Sequence, residues 1–111
     1  MIHKAAGQLS NYLSRLSPWD LIDVWIAGIN QGDRQLIEAT TAAGIVPTPP
    51  YTNMRRLSEF DNQHITSALY MDIPVDVWVT SPGSNKSVQR HFLIHLERSS
   101  PIERWLITRV L

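Results

Sequence analysis

The sequence predicts one α+β domain of 111 residues, with helices first and a curved antiparallel sheet after them. Three observations carry this. Apolar residues recur at helical spacing before residue 47. Well after it they alternate, the period of a half-buried strand. Between the two regimes stands Pro47-Thr48-Pro49-Pro50, which cannot continue a helix, so the chain turns.

The elements follow in order. Ile2, Ala6, Leu9, Leu13 and Leu16 form one stripe on a helix over about residues 3–16. A second helix has a clear start: Ser17 caps, Pro18 suits the first helical position, and Asp20 meets the positive end of the helix dipole. Leu21, Ile22, Trp25, Ile26 and Ile29 make its apolar face. Asn30-Gln31-Gly32 ends it, with Gly32 free to turn left-handed. Asp33 caps a third helix with Leu36, Ile37 and Thr40 on one face, closed by Gly44. Tyr51, Met54, Leu57 and Phe60 fit one side of a short fourth helix, and a loop is the alternative.

From His64 a long strand sends Ile65, Leu69, Met71, Ile73, Val75, Val77 and Val79 one way. His64, Thr66, Tyr70, Asp72, Asp76, Trp78 and Thr80 face the other. Pro74 cannot donate to a ladder, so it marks a bend, a bulge or a sheet edge. A tight turn on Gly83-Ser84 leads to a second strand carrying Val88, Arg90, Phe92, Ile94 and Leu96. Glycine-first turn geometry pairs Val79 with Val88, Val75 with Phe92, Ile73 with Ile94 and Met71 with Leu96. All these pairs are apolar, and a slip by one residue would oppose apolar to polar groups. On the other face the count pairs Asp76 with His91, Asp72 with His95 and Tyr70 with Glu97. Trp105 to Leu111 reads as a final strand.

Composition narrows the function classes. Apolar residues are 43% of the chain, too many for a disordered one. Ten basic residues balance ten acidic ones. That leaves no electrostatic footprint for nucleic acid, and it favours self-association. The chain has no cysteine, which removes disulfides, thiolate nucleophiles and cysteine metal sites. No apolar run is long enough to cross a membrane, and the first residues lack a signal-peptide core. A cytoplasmic location is the default, with a domain excised from an exported protein as the alternative.

Four segments carry a likeness to a known family: Trp19-Asp20-Leu21-Ile22-Asp23-Val24-Trp25, Asn30-Gln31-Gly32-Asp33-Arg34-Gln35-Leu36, Val75-Asp76-Val77-Trp78-Val79 and Trp105-Leu106-Ile107. With the element order they resemble the nuclear transport factor 2-like superfamily, over about residues 17–111. The helix at 3–16 is extra to that pattern. The resemblance implies a cone, a curved sheet wrapped around helices and often open to a pocket, and many members pair through the outer sheet face. It spans polyketide-cyclase-like and dehydratase-like enzymes, ligand-binding modules and accessory domains of secretion or conjugation assemblies. Fold alone does not choose among these.

Two constellations stand out. His91 and His95 share one strand face about 7 Å apart, opposite Asp76 and Asp72. Such groups can ligate a divalent ion or act as acid and base. They equally form a row of cross-strand ion pairs, favoured because this face lies opposite the apolar one. With Trp78, Tyr70 and Leu93 they make a candidate interface for a homodimer. The second constellation is Arg90, alone among apolar inward residues. It either snorkels to water or binds a small anion in a cone walled by Trp25, Tyr51, Met54 and Phe60. Arg55-Arg56 reads as a solvated basic patch. The leading expectation is a homodimeric interaction or ligand-binding module without metal or cofactor. Its rivals are a cyclase- or isomerase-like enzyme with a pocket His or Asp base, and an accessory domain of a larger assembly.

Overall fold

The computed structural model describes residues 9, 11–42, 49–57, 59–60 and 63–111. Helix α1, described at residue 9 and residues 11–14, buries Leu13 completely and packs Leu9 against the core, which Leu16 just past the helix also joins. The rest of the stripe predicted from residue 3 lies outside the described residues. Helix α2 (Pro18–Gln31) begins as its sequence dictates. The Ser17 hydroxyl accepts from the Asp20 N–H, and Pro18 opens the first turn. Gly32 ends it at φ 62°, a conformation that side chains disfavour. The Asp33 carboxylate then accepts from the Leu36 N–H and starts α3 (Arg34–Thr40). This helix stops short of the predicted glycine. Thr40 turns its hydroxyl back to the Leu36 and Ile37 carbonyls, and Thr41 is extended. The chain leaves the helix here to make a parallel bridge to Ile107, with the Ala42 N–H donating to the Ile107 carbonyl at 2.9 Å.

Four strands follow, β1 (Asn53–Arg56), β2 (Tyr70–Thr80), β3 (Ser87–Glu97) and β4 (Leu106–Val110). They lie in that order across one sheet, each antiparallel to the next. The structure is thus α+β, with helices on one face of an antiparallel sheet. Met71, Ile73, Val75, Val77 and Val79 of β2 pack with Leu21, Ile22, Trp25, Ile26 and Ile29 of α2 in one buried core. Among the described residues no helix is long and apolar enough to cross a membrane.

The hairpin register is the one apolar pairing predicts: Met71 with Leu96, Ile73 with Ile94, Val75 with Phe92, Val79 with Val88. The turn is different. Residues 81–86 join the strands, and the Ser84 N–H donates to the Ser81 carbonyl at 3.1 Å. Pro82 stands second and Gly83 third at φ 77°, the arrangement of a type II turn. Proline fixes the second position and glycine supplies the left-handed third, so a glycine-first turn does not form.

Two other expectations are corrected. Residues 53–56 are strand, not helix. The three-residue apolar spacing there imitates a helical face, but the Val77–Thr80 margin of β2 offers a ladder that β1 completes. Strand β2 also starts later than the alternation does, and Ile65 and Leu69 are exposed. Pro74 sits at a sheet edge. The Asp76 and Thr80 carbonyls accept from Leu57 and Thr52 on the β1 side. Alternation aims the Pro74 nitrogen the same way, just past the end of β1.

Arg55 and Arg56 are not one solvated patch. Arg55 faces outward opposite Trp78, while Arg56 faces inward opposite Val77. There Arg56 makes a forked bond to Asp23 of α2, Nε to Oδ1 at 2.9 Å and Nη2 to Oδ2 at 3.1 Å. Its guanidinium also lies 4.2 Å from the Phe60 ring centre. The hydrogen bond to Asp23 raises the Arg56 pKa; desolvation works against it, and the charges of Asp23 and Glu59 add to the rise. A lysine cannot reproduce the fork or the stacking. Arg56→Lys is therefore expected to cost about 1 kcal/mol. Calorimetry is expected to read this as a melting temperature lower by about 4–8 °C.

Candidate interaction surface

The sheet face away from the helices carries the candidate interface. Alternation along β2 puts Tyr70, Asp72, Pro74, Asp76 and Trp78 there, and along β3 Gln89, His91, Leu93, His95 and Glu97. All seven residues singled out from the sequence share this face. Asp76 meets His91 with Oδ1 and Nδ1 2.6 Å apart, and Asp72 meets His95 with the same atoms at 2.5 Å. The Tyr70 ring stacks over His95, with centres 6.4 Å apart and planes at 27°. Glu97 stands 3.7 Å from His95 Nε2.

Strand β4 adds residues that the sequence does not reveal. A bulge between His95 and Leu96 shifts its register and brings Arg109 opposite His95. Leu93 and Leu111 exchange backbone hydrogen bonds at 3.0 Å. Pro74, Leu93 and Leu111 thus form an apolar row across three strands, set between the two His–Asp pairs. Tyr70 is 56% exposed, Leu93 36% and Leu111 60%. The bulge is a product of the β3–β4 pairing, and alternation within either strand carries no sign of it.

These groups are arranged for contact more than for catalysis. Each His–Asp pair ties up Nδ1; His91 keeps Nε2 to offer, while His95 turns its Nε2 toward Glu97 at 3.7 Å. Both pairs lie on the outer face, with half or more of the His91, Asp76 and Asp72 side chains in water and His95 27% exposed. Exposed cross-strand pairs fix side chains without contributing much stability. Among the described residues no three His, Cys, Asp or Glu gather into a group able to hold a metal ion.

No family model matches the chain, and neither a curated protein nor a solved structure is significantly similar to it.

The residues named for a pocket are placed differently from those of the face. Trp25 and Met54 are buried in the core, and Tyr51 and Phe60 pack against it. Tyr51 also lines an open hollow of about 430 Å³ with Ile29, Gly32, Arg34, Ile37 and Glu38. Arg90 is outside this group. It stands opposite Val77 as alternation predicts, but it is exposed, because the cover over Val77 does not extend across to β3. One further pairing was not legible. The Asn30 side chain donates to the Met54 carbonyl at 2.7 Å and accepts from the Met54 N–H at 2.6 Å. It stands where a neighbouring strand would be.

Proposed function

We propose that this domain is a protein-interaction module on a nuclear transport factor 2-like scaffold, and that it pairs with a second copy through the uncovered sheet face. The observation that carries the reading is the Pro74–Leu93–Leu111 row, bordered on each side by a His–Asp pair, with Trp78 and Tyr70 beyond the pairs. An apolar centre within a polar rim is the usual anatomy of such a contact. A balanced net charge removes the repulsion that keeps copies apart. Helices ahead of a one-sided sheet support the scaffold assignment, and the filled helix side favours a binding face over an internal ligand site.

Sedimentation velocity tests the proposal. The wild-type chain is expected to run as a dimer. Trp78→Glu and Leu93→Glu each place a charge in the contact and are expected to weaken it by about 100-fold, the loss of one hot-spot residue. Both sites face away from the core, so far-ultraviolet circular dichroism is expected to stay native. A monomeric wild type, or a dimer indifferent to both substitutions, overturns the reading.

A further inference from the structure

The sheet has two margins, and the fold treats them differently. On the β1 margin Met54 has both backbone groups taken by Asn30. On the other margin β4 pairs with β3 only from Leu93 to Glu97. Leu93 aims its N–H and C=O at Leu111. Alternate residues of a strand aim theirs the same way, so Ser87, Gln89 and His91 present their backbone groups to that margin. No described residue pairs with them there. The Gln89 carbonyl receives only a 3.4 Å contact from the neighbouring Arg90 guanidinium.

The side chains beside this margin have a definite character. Val88 and Arg90 share the helix-side face of β3 and are both exposed, Val88 by 42%. Lys86 adjoins the start of the strand and is exposed as well. Among the described residues neither the Lys86 ammonium nor the Arg90 guanidinium meets a carboxylate. We infer that Ser87–His91 is a strand-addition site for an extended segment of a partner protein, one with acidic residues placed two positions either side of an apolar one. The backbone ladder supplies affinity, Val88 takes the apolar side chain, and Arg90 and Lys86 take the carboxylates. A second copy fits this margin poorly. Its own Lys86 and Arg90 would join these two, four cations along one seam. The margin offers backbone groups in the plane of the sheet and the helix-side residues Val88 and Arg90, whereas the dimer uses outer side chains, so the inference goes beyond the dimer proposed above.

Fluorescence anisotropy decides it. The probe is a short dye-labelled, threonine-rich peptide with glutamate, valine and glutamate at alternate positions. Its control carries lysine at both glutamate positions. The glutamate peptide is expected to bind, and the lysine peptide to bind at least ~10-fold more weakly. Gln89→Pro removes the central outward N–H and is expected to abolish binding, since proline is tolerated at an edge but cannot donate. Arg90→Glu, at an exposed site that folding does not depend on, is expected to reverse the peptide preference. Trp78→Glu is expected to bind the peptide normally, which separates this site from the dimer face. Equal binding of the two peptides, no binding of either, or undiminished binding by Gln89→Pro overturns the inference.

Discussion

Trp25→Ala is expected to destabilise the domain by about 3–5 kcal/mol, the usual cost of emptying a large aromatic site. Trp25 has no exposed surface and stands at the centre of the helix–sheet core. A loss of this size is a large fraction of the stability of a small domain. Urea denaturation followed by circular dichroism measures it, with an unchanged slope showing that the unfolded state is not altered. The phenylalanine variant sharpens the argument. The indole N–H is buried, and no described group accepts from it. Trp25→Phe removes that costly donor along with part of the ring. The two effects oppose, so its loss is expected to be less than about half that of the alanine variant.

Asn30→Ala is expected to cost roughly 2–4 kcal/mol, far more than an exposed polar residue normally would. The substitution leaves two backbone groups of Met54 without partners, and Met54 is 1% exposed. Asn30→Asp separates the two bonds. Its carboxylate still accepts from the Met54 N–H but turns a negative oxygen on the Met54 carbonyl. Protonation restores a donor there, so this variant is expected to recover stability relative to wild type as pH falls. Chemical denaturation at neutral and acid pH reads that difference.

What was legible in the sequence was whatever depends on neighbours along one strand or helix. Ser17, Gly32 and Asp33 act within one turn of themselves, and their roles could be read directly. The hairpin register is legible because its inner pairs are apolar, although the type of turn that joins them is not. The register therefore comes from the side chains, and the type II turn accommodates it by leaving the same residues opposite one another. The His–Asp pairs followed from the same alternation. Partnerships across long separations were not legible. Asn30 reads as a helix ending and Asp23 as one more residue of the second helix, yet their partners, Met54 and Arg56, are 24 and 33 residues away. Strand β1 was hidden because four residues are too few to show a period. Arg90 was placed on the correct side, but how far the core's cover reaches is a tertiary matter.

The treatment of Pro74 and Met54 limits how large any assembly can become. A sheet that accepts neighbours at both ends copies itself without limit, as fibrils do. Here β1 is four residues long, Asn30 occupies the outward backbone groups of Met54, and past the end of β1 a proline stands where the next donor belongs. A new strand has room at the β3 margin only, so copies of this sheet do not chain edge to edge through both margins.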